Sequence, residues 1–278
     1  MRPACAYVVC STPRSGSTLL CELLKSTGVA GRPEEYFEAK AGTGLPPHPG
    51  DYLDGLPRTG AGIRDDFTPP RAPAYSDLRG LDGYRDHLER TFTLGTTPNG
   101  VFATKLMWRH LADLQTLAGR LPEYDGLQIP ELLAKLLGRP AYVWMRRRDK
   151  VRQAISLWRA LQTRTWRKEN GHSESPPPPL RYSFEGIDHL ARALQSDDEA
   201  WERYFERHGP EPLTIVYEDD LEADPARTVW RVLDHIGIAV PAGWHPAAPI
   251  VRQSDRLNDE WHSAYHRDAA ARLASRDA

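Results

Sequence analysis

Within its first thirty residues the chain passes from an apolar run, through a bend of Ser, Pro, Arg and Gly, into a helix. Few folds accommodate that passage. Ala6-Tyr7-Val8-Val9-Cys10 is short and β-branched, as suits a strand covered on both faces. Thr12-Pro13-Arg14-Ser15-Gly16-Ser17 breaks it with turn residues, and Thr18-Leu19-Leu20-Cys21-Glu22-Leu23-Leu24 then has the spacing of an amphipathic helix closing near Gly28 and Gly31. A strand that runs straight into a helix calls for a parallel neighbour reached by a crossover.

The rest of the chain repeats the alternation. Strands are predicted at Val101–Leu106, Ala141–Met145 and Leu213–Tyr217. Helices are predicted around Tyr84–Thr93, over Met107–Leu117, up to Gly138, over Val151–Thr165, around Ile187–Glu206, over Pro225–Ile236 and in the Ala/Arg-rich tail. The pattern predicts an α/β fold, a central mostly parallel sheet flanked by helices on both faces. Two stretches do not fit it: a Gly/Pro-rich excursion at 40–73 and a Pro-rich insertion at 169–179. We read residues 1–278 as a single domain carrying both.

Ligands in such sheets sit beyond the carboxyl ends of the strands. Three segments fall there: Thr12–Thr18, the neighbourhood of Lys105, and Arg146–Asp149. In the first, main-chain amides and a helix N-terminus favour an anion. Arg14 adds a charge; Ser15, Ser17 and Thr18 add hydroxyls around Gly16. The loop lacks the Gly-Lys-Ser/Thr ending of nucleotide triphosphatases, and a plain strand-to-helix turn is the competing reading. Arg146, Arg147 and Arg148 leave the third strand together, as a solvated strand end, as charges paired to Asp149 and nearby acids, or as a clamp for a second phosphate, with Ser156 two turns further on. Glu35 follows the Gly31–Pro33 turn. It is either an exposed acid or a general base whose neighbours Tyr36 and Phe37 desolvate it. Lys105 either adds charge to the anion pocket or forms a salt bridge.

Composition narrows the function further. Lys plus Arg number 36 against 38 Asp plus Glu, a net charge of −2, so no global field gathers nucleic acid or an anionic membrane. No apolar run approaches the ~20 residues of a membrane span. The N-terminus does not read as a secretory signal. Cys5, Cys10 and Cys21 are odd in number and lack metal spacing, so they read as reduced, mostly buried thiols of a cytosolic protein. His262 and His266 share a helix face but lack a third ligand, so no metal is expected.

Ser11-Thr12-Pro13-Arg14-Ser15-Gly16-Ser17-Thr18-Leu19-Leu20 resembles the 5′-phosphosulfate loop of the sulfotransferases, in particular the mycobacterial trehalose 2-sulfotransferase branch. The likeness continues through Gly28–Phe37, Thr97-Pro98-Asn99-Gly100, Lys105-Leu106-Met107-Trp108, Arg147–Ala160, Val216–Leu221, and Arg252-Gln253-Ser254-Asp255 with Glu260-Trp261, in order along nearly the whole chain. The resemblance implies a P-loop-like three-layer fold and a donor, 3′-phosphoadenosine 5′-phosphosulfate (PAPS), with adenosine 3′,5′-bisphosphate as product and no metal. It gives Arg14 through Thr18 to the phosphosulfate. Arg147 (or its neighbour Arg148) and Ser156 go to the 3′-phosphate, and Glu35 falls on the catalytic base. It also implies a homodimer and a small sugar or glycoside acceptor, trehalose first. The insertion 169–179 and the sequence 181–202 depart from that branch, so a glycosylated natural product or glycolipid is the alternative acceptor. A phosphotransferase using ATP would need a loop lysine where Arg14 stands. A non-catalytic nucleotide- or sugar-binding protein is the rival from another class.

Overall fold

A computed structural model describes residues 3, 5–38, 52–53, 56, 81–163, 180–246 and 256–275. Most of the 40–73 excursion and all of the 169–179 insertion lie outside the described residues. The chain gathers into two compact units: Met1–His48, Arg71–Arg148 and Asp197–Ile250 form the first, and Pro49–Pro70, Asp149–Ser196 and Val251–Ala278 the second.

The first unit is built on four parallel strands, β1 (Cys5–Ser11), β2 (Val101–Met107), β3 (Ala141–Arg146) and β4 (Leu213–Val216), in the order β2-β1-β3-β4. Its helices are α1 (Ser17–Ser26), α2 (Leu81–Gly95), α3 (His110–Ala118), α4 (Ile129–Leu137) and α7 (Pro225–His235). The C-terminal part of α6 (Phe184–His208) also belongs here; α5 (Lys150–Thr163), which precedes it, lies in the second unit. Alternate residues of β1 feed two cores. Ala6, Val8 and Cys10 pack with residues of α2, α3, α4 and the end of α6, while Tyr7 and Val9 pack with α1 and α7. Burial on both faces explains why β1 reads as an unbroken apolar run rather than an alternating one. The three-layer α/β fold expected from the sequence is the fold observed.

The chain leaves β1 for β2 on one side, and β3 then pairs on the other. The order therefore reverses beside β1, and the crevice at its carboxyl end is where such sheets bind ligands. A second feature brings Glu35 to this end. Gly31, at φ 68°, lies so close to β2 that a Cβ would meet that of Ala103 at 2.8 Å. Thr97 Oγ1 accepts from the Gly31 N–H (3.0 Å), and Asn99 Nδ2 donates to the Val29 carbonyl (2.8 Å), so the Thr97–Gly100 turn clasps this segment. The Glu34 carbonyl then accepts from the Lys105 N–H (2.9 Å) and Thr104 Oγ1 (3.2 Å), laying the segment along β2.

Among the boundaries that differ from expectation, two bear on the site. The helix expected from Met107 begins at His110, after a turn in which the Leu111 N–H meets the Trp108 carbonyl at 3.2 Å. The fourth strand ends at Val216, because Tyr217–Leu221 winds into a π-turn with Glu222 N–H bonded to the Tyr217 carbonyl at 2.8 Å. The Asp220 carboxylate fixes that exit by accepting from the Val216 N–H at 2.7 Å.

Helix α7 starts as its sequence dictates, with Pro225 first and Asp224 accepting from the Arg227 N–H at 2.9 Å. Asp224→Ala is expected to lower stability by about 1 kcal/mol, the usual worth of an N-cap. Asp224→Asn should lose far less, and a urea titration of both variants checks this.

The second unit packs Tyr52, Leu53, α5, the first part of α6 and α8 (Arg256–Ala274) around Trp158. The indole Nε1 of Trp158 donates to the Arg181 carbonyl at 2.9 Å, and a Cβ on Gly186 would meet its ring at 2.6 Å. Helix α8 buries Trp261, packs Leu257 and Tyr265 against the same cluster, and makes the polar contacts Arg152–Asp259 (2.6 Å), Tyr182–Asp268 (2.8 Å) and Tyr265–Asp188 (2.8 Å). His262 and His266 share a face of α8 as expected, and His262 turns its Nε2 to Asp149 at 3.2 Å.

Candidate active site

The bend between β1 and α1 holds two residues in the left-handed region, Arg14 at φ 62° and Gly16 at φ 94°. Only glycine adopts the second without steric cost. Space gives Gly16 a further reason: an added Cβ would lie 2.4 Å from Cδ2 of the Tyr217 ring. Helix α1 opens at Gly16, so no N-cap side chain meets the partial positive charge of its first turn. Beside it, the Ser15 hydroxyl is buried and has no hydrogen-bond partner among the described residues. Leaving such a group unsatisfied costs roughly 1–3 kcal/mol.

Buried contacts from far along the chain hold the start of this bend. Thr12 Oγ1 donates to the wholly buried Asp198 (3.3 Å), and Trp201 Nε1 donates to the Ser11 carbonyl (3.1 Å). Both partners lie on the part of α6 that belongs to the first unit.

Lys105 sits inside β2 rather than at its end, and its side chain is 1% exposed. Its ammonium lies 2.6 Å from Glu35 Oε1 and 3.2 Å from Thr18 Oγ1, so it bridges the acid and the first turn of α1. Of the two readings of Lys105, the salt bridge is present, and it stands beside the loop. Glu35 keeps 24% exposure. Tyr36 packs on Phe102 and Phe37 is buried in the core, so both rings anchor the segment while the carboxylate faces polar neighbours. The other carboxylate oxygen, Oε2, lies 3.9 Å from Nε2 of the buried His110. Ligand atoms of Glu35, Glu38 and His110 fall within 4.8 Å of one another, a spacing that would suit a cation. The Lys105 ammonium already supplies positive charge there, and we assign them no metal. Beneath them, burial pushes the Cys21 thiol up to about 12, with the Lys105 charge a smaller opposing influence. That thiol is unreactive at neutral pH.

The three consecutive arginines part company. Arg146 lies over the Trp144 ring at 4.2 Å and approaches Asp198 and Glu202, each at 3.9 Å. Arg147 turns to the bend: its Nη1 donates to the Arg14 carbonyl at 3.3 Å, and its guanidinium lies 5.0 Å over the Tyr217 ring and 3.6 Å from Glu218. Arg148 is 64% exposed and pairs with Asp219. Ser156 is half-buried on α5, in the second unit.

The first unit thus brings Arg14, Ser15, Gly16, Ser17, Thr18, Lys105, Glu35 and Arg147 to the end of the sheet beside β1. A sequence model of the Stf0 sulphotransferase family matches residues 6–268. The chain belongs to the Stf0 sulphotransferase family. It is 36% identical over 273 residues to trehalose 2-sulfotransferase of Mycobacterium tuberculosis (strain ATCC 35801 / TMC 107 / Erdman), covering 95% of each chain. It is 33% identical over 274 residues to trehalose 2-sulfotransferase of Mycolicibacterium smegmatis (strain ATCC 700084 / mc(2)155), again over 95% of each. As a sulphotransferase of this family the protein is an enzyme that needs a sulfuryl donor, and the bend has the chemistry of an anion cradle. No helix among the described residues is long and apolar enough to cross a membrane.

Reasoning from sequence did not find His110, Asp198, Trp201 or the ring of Tyr217. One signal was available for His110: it is the ring that follows the Lys105 strand and opens the next helix.

Proposed function

We propose that this chain moves the sulfuryl group of PAPS onto a hydroxyl of trehalose or a trehalose-like glycoside. Trehalose enters through the two relatives, which carry that sugar in their names. The observation that supports the donor best is the buried, unpartnered Ser15 hydroxyl beside an uncapped helix start, since oxygens of a phosphosulfate are the acceptors both lack. Arg14, Ser15, Gly16, Ser17 and Thr18 would hold that group.

In this reading Glu35 takes the proton of the acceptor hydroxyl, whose oxygen forms a bond to sulfur. The bond from sulfur to the bridging oxygen breaks, and its electron pair leaves on the 5′-phosphate of adenosine 3′,5′-bisphosphate. Negative charge grows on that phosphate. The amides at the start of α1, Arg14 and the Lys105 ammonium meet it as it develops. Lys105 touches both the base and Thr18, so it ties the proton-accepting end of the site to the leaving-group end.

We assign the 3′-phosphate to Arg147 rather than Arg148, because Arg147 is partly buried against the bend while Arg148 points to solvent. Ser156 is given to the same phosphate on the family resemblance alone. Arg147→Ala is therefore expected to weaken adenosine 3′,5′-bisphosphate about tenfold or more, as loss of a charged hydrogen bond does. Arg148→Ala should leave affinity unchanged; calorimetric titration of both variants checks this. The family match runs through both compact units, which supports treating them as one catalytic domain. A homodimer and a cytoplasmic location complete the proposal.

The deciding experiment incubates the protein with PAPS and trehalose and looks for sulfated sugar by mass spectrometry. Sulfated trehalose upholds the reading. Product from other glycosides alone removes trehalose, and failure to bind adenosine 3′,5′-bisphosphate removes the donor.

A further inference from the structure

His110 is a buried titratable group that the proposed chemistry does not use, and its surroundings are specific. It is 2% exposed and stands at the first position of α3. Its Nδ1 accepts from the Met107 N–H at 3.4 Å, so the proton of a neutral ring must sit on Nε2. That is the nitrogen facing Glu35 Oε2. Three influences oppose a second proton on the ring. An Nδ1–H would collide with the Met107 N–H, and a helix N-terminus disfavours a cation. The Lys105 ammonium, on β2, adds repulsion through the carboxylate they share. Glu35, Glu38 and Asp113 (on α3 itself) pull the other way.

We infer that His110 is a positioning residue for the base: a neutral Nε2–H donor that sets the orientation of Glu35 Oε2 while Lys105 holds Oε1. At 3.9 Å the contact is longer than a hydrogen bond, and catalytic contacts of this kind tighten when substrate closes the site. His110 does not relay the proton onward, because the nitrogen that would release it is already engaged by Met107. The carboxylate is thereby gripped at both oxygens, and its rotation about the last side-chain bond is restricted. This inference rests on Glu35 being the base.

The test has two arms. In the wild-type protein labelled with ¹⁵N-histidine, the His110 ring, assigned by its loss in His110→Gln, is expected to show a protonated Nε2 and a bare Nδ1 at neutral pH. An Nδ1–H tautomer or an imidazolium overturns the inference without any variant having to fold. In single-turnover assays His110→Leu is expected to slow sulfated-product formation about tenfold, as a misaligned reacting group does. Adenosine 3′,5′-bisphosphate affinity should stay unchanged. His110→Gln, which restores an N–H donor near the Nε2 position, should recover most of the lost rate. Equal rates for the Leu and Gln variants would mean that His110 merely fills space. If Glu35→Gln itself keeps full turnover, the fault lies with the base assignment and not with His110.

Discussion

Glu35→Gln is expected to lower the single-turnover rate of sulfuryl transfer by at least about a hundredfold, the range a positioned general base contributes. The substitution is nearly isosteric. The glutamine carbonyl can still accept from the Lys105 ammonium that now lies 2.6 Å from Oε1, so the local packing and the charge beside Thr18 persist. What is lost is the capacity to accept a proton. Adenosine 3′,5′-bisphosphate should therefore bind as it does to the wild-type protein. Rapid-quench kinetics with product detection by mass spectrometry, paired with calorimetry, separates the two quantities. Unchanged turnover would move the base to another group, and lost product binding would mean that the carboxylate shapes the donor site.

Gly16→Ala is expected to damage the donor site itself. A left-handed backbone costs an alanine roughly 1–2 kcal/mol, and the new methyl would press on Tyr217 at 2.4 Å. The bend relieves both by leaving the conformation it now holds, which turns the amides at the head of α1 away from a common point. Affinity for adenosine 3′,5′-bisphosphate should fall at least about tenfold, equivalent to about 1.4 kcal/mol. The melting temperature should drop by a few degrees, since ~1 kcal/mol shifts a chain of this size by about 2–4 °C. Adding Tyr217→Ala frees the space but not the dihedral angle, so the double variant should regain only part of the affinity. Full affinity in the single variant would show that the bend is not the cradle.

The parts of the site that could be read from the chain are those made by neighbours in sequence. Thr12 through Thr18 lie on one turn, so their residue types alone define a strand end, a tight bend and a helix start. The arginines show the opposite case. Nothing in Arg146-Arg147-Arg148 distinguishes its members; what sorts them is Trp144 and Asp198 for the first, the Arg14 carbonyl and Tyr217 for the second, and Asp219 for the third. Asp198 lies 186 residues from the Thr12 it binds, and Trp201 190 from Ser11. No local pattern carries such a pairing, because it arises only once α6 has packed. Burial misleads in the same way. Lys105 reads as a strand-end cation, whereas the sheet encloses it, with Glu35 and Thr18 among its partners. Tyr217 reads as the last residue of a strand, and the Asp220 side chain ends the strand before it.

The parallel sheet has one more consequence, for how the protein is made. Of the four strands β1 is made before the other three, yet its partners are Val101 onward on one side and Ala141 onward on the other. At about 5–20 residues per second, Ala6-Tyr7-Val8-Val9-Cys10 waits on the order of five to twenty seconds for β2 and longer for β3. During that interval a sticky apolar pentapeptide is unshielded in the nascent chain. Expression yield should then depend on elongation speed and on chaperones that shelter it until the neighbouring strands arrive.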